Sequence, residues 1–131
     1  MIADTNYIVD VLKKEESAIE KSDELADRGR NQNLCTPVIY EVMTGIEYAG
    51  SRRERIKFES MLERFIVLPY GEKSARLSGE VHAELLREGE ERGTVDVQIA
   101  SIALANDETL LTNDSDFEII SEIFGLELED Y

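Results

Sequence analysis

Very short apolar runs alternate with longer segments of helical period along this chain, and that alternation constrains its fold more than any other feature. Met1-Ile2-Ala3 is closed by Asp4-Thr5-Asn6, after which Ile8, Val11 and Leu12 recur at helical spacing. A strand ending at Asp4 therefore leads into a helix. Charged residues from Lys13 to Arg30 predict one helix or two, and Gly29 with Asn31-Gln32-Asn33 forms the turn before a very short strand at Leu34-Cys35. Thr36-Pro37 sets a capping hydroxyl before a proline suited to the first helical position, so a helix runs through about Tyr48 and stops at Gly50-Ser51. Residues 52 to 64 place Ile56, Phe58, Met61 and Leu62 among charges in a helical pattern, and Phe65 to Leu68 reads as a strand stopped by Pro69.

The second half continues the alternation. An amphipathic helix is expected from Glu72 to about Arg92, carrying Ala75, Leu77, Val81, Leu85 and Leu86, with Gly93 as its stop. Thr94 caps a helix from Val95 to Ala105. Thr109 to Thr112 is a compact strand, Asn113 to Asp116 a polar loop, Phe117 to Phe124 a short helix ended by Gly125, and Leu126 to Leu128 an edge strand. Strands and helices in this order imply an α/β fold, an α/β/α sandwich with a central parallel sheet. The 131 residues suit one domain spanning 1–131.

Charge narrows the function. Asp and Glu number 29 against 14 Lys and Arg, a formal net charge of −15, so long-range attraction to a polyanion is not expected. Either the surface is heavily solvated or the fold carries an acidic site that a divalent cation neutralises, and the two are compatible. No apolar run approaches bilayer length and the N-terminus lacks a secretory pattern, so a cytoplasmic protein without membrane contact is expected. The single Cys35 with the single His82 offers no soft-ligand set for zinc, and Cys35 reads as a small buried residue.

With so many carboxylates, only position in the fold makes any of them informative. Ligands of open parallel sheets bind outside the carboxyl ends of strands. Asp4 ends the first strand, while Asp114 and Asp116 follow the strand at Thr109 to Thr112. Asp4 and Asp116 could equally serve as helix caps. Asp96 says more, because at about 100° per residue it falls between Ile99, Ala100 and Ala103, with Gln98 and Ser101 on the far side. A carboxylate on an apolar face needs a cation, hydrogen bonds or a shifted pKa, although a first-turn position also offers modest helix-dipole support. Glu41 flanks the apolar arc of Val38, Ile39, Val42, Ile46 and Ala49, beside Gly45 and Tyr48, and can face a cleft; Glu47 falls on the outer face. An all-oxygen cluster suits Mg²⁺ or Mn²⁺, and with one histidine in the chain, metal activation of water is the plausible route to a nucleophile.

Four segments carry a family resemblance: Met1-Ile2-Ala3-Asp4-Thr5-Asn6, Thr36-Pro37-Val38-Ile39-Tyr40-Glu41, Asp96-Val97-Gln98-Ile99-Ala100, and Thr109-Leu110-Leu111-Thr112-Asn113-Asp114-Ser115-Asp116-Phe117. Each is short, but together, in this order and spacing, they resemble the PIN-domain nucleases, in particular the VapC toxins of prokaryotic toxin and antitoxin pairs. The resemblance implies a parallel sheet between helices and metal-dependent hydrolysis of RNA leaving a 5′-phosphate. It implies Asp4, Asp96 and Asp114 as metal ligands, Glu41 acting directly or through metal-bound water, and Asp116 as a supporting member. Thr5, Asn6 and Thr112 are implied as polar supporting or substrate contacts. It also implies a homodimer and a cognate antitoxin that covers the acidic cleft with a basic residue.

The acidic composition departs from what RNA binding requires. Arg52, Arg53, Arg55 and Lys57 form the main basic cluster and are candidate phosphate contacts, although Glu54 and Glu59 would equally pair them on a solvated face; Lys13 and Lys14 come second. Phe58, Met61 and Leu62 offer apolar side chains for self-association. Two other readings stand beside the nuclease: a noncatalytic PIN-type module binding RNA or protein, and a phosphoacceptor receiver, which does not require a glutamate from a helix.

Overall fold

Parallel backbone pairing joins the short apolar runs side by side in the computed structural model, which describes residues 1–131. The elements are β1 (Ile2–Ala3), α1 (Thr5–Leu12), α2 (Glu16–Asp27), β2 (Leu34–Cys35), α3 (Thr36–Ala49), α4 (Arg52–Leu62) and β3 (Val67–Leu68). They continue with α5 (Glu72–Arg87), α6 (Thr94–Ala105), β4 (Leu110–Leu111), a 3-10 turn (Ser115–Phe117), α7 (Glu118–Phe124) and β5 (Leu128–Glu129). β1 pairs with β4 and β4 with β5, while β2 pairs with β3. A parallel bridge between Ile2 and Asn33 joins the two groups, so the strands run in the order β3-β2-β1-β4-β5.

Helices on both faces bury the middle strands completely, as all-parallel sheets require. Ile2, Ala3, Leu34, Cys35, Leu110 and Leu111 are each 0% exposed. The outer strands β3 and β5 are half-buried. The chain moves one way from β1 to β3 and back for β4 and β5, and with the right-handed crossovers that parallel sheets favour this order places the first four helices and the last three on opposite faces. Helix packing follows that division: α1 meets α2, α3 and α4, and α5 meets α6 and α7, with α3 reaching α6.

Several sequence expectations are corrected. α5 ends at Arg87 rather than near Arg92, because Gly89 takes a left-handed φ of 70°. There the Gly89 and Glu90 N–H groups donate back to the Leu86 and Leu85 carbonyls, a closing pattern that consumes the helix's last acceptors. Gly93 instead precedes α6. Thr36 does not cap α3 through its hydroxyl, which accepts from the Tyr70 N–H at 3.0 Å and ties the helix start to the end of β3. Thr94 makes no side-chain cap either. The loop after β4 contains the 3-10 turn. On α5 the inward face is Ser74, Ser78, Val81 and Leu85, whereas Ala75 and Leu86 face out. α6 is buried almost all round, Ser101 included, because α5 and α3 both pack on it; the Ser101 hydroxyl is satisfied by the Val97 carbonyl at 2.7 Å.

The largest correction concerns α4. Phe58 and Met61, expected to be free for self-association, lie in the core, and the exposed apolar residue on this helix is Ile56. Emptying the Phe58 site removes a fully buried ring, so Phe58→Ala is expected to cost about 3–5 kcal/mol in urea denaturation. Ile56→Ser should stay within about 0.5 kcal/mol of wild type. Equal costs for the two would contradict the orientation of α4.

Candidate functional site

The strand order reverses between β1 and β4, and in open parallel sheets ligands bind outside the carboxyl ends of the strands at such a switch point. Asp4 follows β1 directly and is 3% exposed. As N-cap of α1 it accepts from the Thr5 N–H through Oδ1 at 2.7 Å, while its Oδ2 accepts from the Thr112 hydroxyl at 2.8 Å. The same Thr112 oxygen accepts from the Asp114 N–H at 3.0 Å. One buried hydroxyl therefore couples the ends of two neighbouring strands. Asp114 caps the 3-10 turn, its Oδ1 accepting from the Asp116 N–H at 2.9 Å.

Asp96 enters from the first turn of α6. Carboxylate oxygens of Asp96, Asp114 and Asp116 lie within 4.8 Å of one another. Glu41 enters from the second turn of α3, where the Thr5 hydroxyl donates to its Oε1 at 2.6 Å. Five acidic side chains from four separate segments thus gather at one edge, three within ligand distance and Asp4 and Glu41 held beside them by threonine hydroxyls.

Electrostatics record the crowding. Burial pushes the Asp4 carboxyl up to about 6, against the bonds from Thr112 and Thr5, with the charges of Asp96 and Asp114 adding to the rise. Asp96 also rises to about 6, first through burial and then through Glu41, Asp114 and Asp116, with Arg92 opposing. Asp96 receives none of the hydrogen bonds that serve Asp4 and Asp114. A half-buried carboxylate without a donor, facing two others within 4.8 Å, fits a hard cation that takes oxygen ligands. Cys35 lies nearby at the end of β2, but burial holds its thiol up at about 12, so it stays protonated and inert as a nucleophile.

The other residues singled out in the sequence separate into two groups. Thr5 and Thr112 use their hydroxyls to hold Glu41 and Asp4, and Asn6 is exposed on the first turn of α1. Arg52 and Arg53 open α4 and stay outside the cluster, since α3 carries the chain about 13 Å along its axis from Glu41 to Gly50 before α4 begins. Arg55 pairs with Glu47 at 3.0 Å. The cation that does reach the acidic group is Arg92, which the sequence reading passed over. In Glu90-Glu91-Arg92-Gly93 it reads as one member of a solvated charged run, and nothing local marks its contact with Asp116.

The chain matches the PIN domain over residues 1–123. It belongs to the PIN-domain family. It is 27% identical over 111 residues to the protein named Ribonuclease VapC2 from Rickettsia felis, covering 84% of this chain and 83% of that one. Among solved structures it resembles a chain of VapBC2 from Rickettsia felis bound to a promoter DNA fragment, with a TM-score of 0.83 and 26% identity over 99% of this chain and 97% of that one. It also resembles a chain of DNA-bound VapBC from Salmonella typhimurium, with a TM-score of 0.80 and 27% identity over 98% and 96%. The α/β/α architecture expected from the sequence is the PIN-domain architecture found here. No helix of this PIN domain is long and apolar enough to cross a membrane.

Raised carboxyl pKa values predict the pH response of the metal-free protein. Between the ordinary value of 3.8 and the folded value of about 6, the native state holds protons at Asp4 and Asp96 that the unfolded chain has released. Stability contributed by these groups therefore falls as pH rises through that window and stays lower above it. Asp96→Asn, melted in chelator, should exceed wild type at pH 8, with the advantage shrinking as pH falls through 6 toward 4. A difference constant across that range would contradict the raised Asp96 pKa.

Proposed function

We propose that this PIN domain is a divalent-metal-dependent endoribonuclease, the toxin of a toxin and antitoxin pair. The observation that carries the reading is the convergence of Asp4, Glu41, Asp96, Asp114 and Asp116 at the switch point of the sheet, with three carboxylates within 4.8 Å. Its likeness to Ribonuclease VapC2 supports RNA as substrate, and its likeness to chains of VapBC complexes supports an antitoxin partner.

In this reading Asp96, Asp114 and Asp116 hold Mg²⁺ or Mn²⁺, with Asp4 adjoining. When bound, such an ion lowers the pKa of a coordinated water and offsets charge on the phosphate. The chain's own groups supply position and proton transfer. Glu41, fixed by Thr5, presents a carboxylate that orients the attacking water and accepts its proton. Thr112 keeps Asp4 aimed at the edge while fixing the backbone at Asp114. In the same reading Asn6, exposed beside Thr5, contacts the RNA.

RNA must be held against a formal charge of −15, so local cations matter. Arg53 and Lys57 share a face of α4, and Lys57 is held below the usual lysine range by burial and by the like charges of Arg53 and Lys14. We assign Lys14, Arg53 and Lys57, with Arg52 next to them, to the RNA backbone some distance from the cleavage point. An antitoxin would instead approach the acidic edge itself, where a cationic side chain finds its complement.

Purified protein should cut members of a panel of cellular RNAs with Mg²⁺ or Mn²⁺ and stop on chelation, and Asp96→Asn should lower cleavage about 100-fold or more. Cleavage that survives complete chelation would sink the mechanism. Charge reversal of Arg53 and Lys57 should raise KM, steepest at low salt, and leave kcat near wild type. An unchanged KM at low salt would remove those residues from the RNA path.

A further inference from the structure

One guanidinium connects both segments that deliver the three clustered carboxylates. Asp96 follows shortly after the α5–α6 connection, and Asp114 and Asp116 belong to the turn after β4. Arg92 belongs to the first and reaches the second. Its Nε–H donates to the Asp116 carbonyl at 3.0 Å, across 24 residues of sequence, and the same nitrogen lies 3.8 Å from the Asp116 carboxylate. Its Nη1 turns back on its own loop, donating to the Glu90 carbonyl at 3.3 Å, the Glu90 carboxylate at 3.3 Å and the Glu91 carbonyl at 3.2 Å. The side chain is only 20% exposed, low for an arginine in a loop.

These bonds differ from an ordinary surface ion pair because three of the acceptors are backbone carbonyls, whose positions define the paths of the two loops. Asp116 is consequently held at both ends of its residue: its N–H donates to Asp114 Oδ1 and its carbonyl accepts from Arg92. With the backbone fixed, its carboxylate, though 58% exposed, starts from one place opposite Asp96. The planar fork of arginine makes such divergent bonds with little further ordering, whereas lysine offers a single flexible point charge.

We propose that Arg92 is a positioning residue for the cation site, stapling the α5–α6 loop to the turn after β4 so that Asp116 completes the group with Asp96 and Asp114. The inference rests on the metal-site reading above and goes beyond it, since it assigns a positive residue to building a site for a positive ion. Electrostatics and positioning therefore predict opposite signs. A cation acting only through its charge repels a divalent ion, and its removal tightens binding. A staple removed lets Asp116 drift, and binding weakens.

The test is Mn²⁺ affinity, read from the electron paramagnetic resonance signal of free Mn²⁺, with circular dichroism and Tm in chelator as folding controls. Arg92→Ala is expected to weaken Mn²⁺ about 10- to 100-fold, the usual effect of losing a group that orients a ligand. Arg92→Lys should remain weak, because it keeps the charge and loses the fork. Asp116→Asn with Arg92→Ala should be no weaker than Asp116→Asn alone, since the staple acts through Asp116. Wild-type or tighter affinity in Arg92→Ala, or full recovery in Arg92→Lys, overturns the assignment. Should Arg92→Ala fail to fold, the lysine variant decides by the same criterion. Wild type that takes up no Mn²⁺ at millimolar concentration overturns the metal-site reading and the staple together, whereas tight wild-type binding with an unaffected Arg92→Ala overturns the staple alone.

Discussion

The pairing of β1 with β4 governs the rest of the molecule. Ile2 lies opposite Leu110 and Ala3 opposite Leu111, which brings the next residues of the two strands, Asp4 and Thr112, to the same edge. Their hydrogen bond at 2.8 Å joins segments 108 residues apart. Register here is set by burial: both strands are covered on both faces by helices, and a slip of one residue would turn Ile2 and Leu110 out of the spaces they fill. Hydrophobic packing thereby aligns a polar site that contributes nothing to that packing.

The site is assembled against an electrostatic cost, and the fold distributes the offset. Asp4 caps α1 and Asp96 sits in the first turn of α6, so the positive ends of two helices face the cluster. Asp114 caps the 3-10 turn and is further tied by its N–H to Thr112. These neutral donors hold Asp4 and Asp114 in place without offsetting the burial of Asp4, whose pKa stays raised. An edge prepared in this way is complementary to a dense positive charge. The surrounding acidity, −15 overall, leaves local groups of lysine and arginine as the chain's own source of attraction for any polyanion.

The arginines illustrate how different the fates of like residues are. Arg55 is taken up by Glu47 across the α3–α4 hairpin, Arg28 by Glu24 and Glu129 over β5, and Arg92 by the carbonyls of two loops beside the acidic edge. All three lie in charged runs that look alike in sequence. What separates them is the remote partner, Glu129 for Arg28 and Asp116 for Arg92, which local sequence does not encode.

Local sequence determined the parallel α/β organisation, the strand ends at Asp4 and before Asp114, and the inward lean of Asp96 among Ile99, Ala100 and Ala103. These follow from period, chain direction and short apolar runs, which are properties of neighbouring residues. Tertiary structure alone decided that Phe58 and Met61 turn into the core, that Thr36 serves Tyr70, that Thr112 serves Asp4, and that Ser101 lies inside. The sequence pattern ran α5 on to Gly93, but Gly89 ended it earlier because its left-handed turn returned N–H groups to open carbonyls. Arg92 was the least legible residue, since its acceptor on the turn after β4, the Asp116 carbonyl, comes within reach only after α6 and β4 have packed. Periodicity tells a side chain which way to face; its partner is set by the segment that arrives there, and that depends on the burial of the whole sheet.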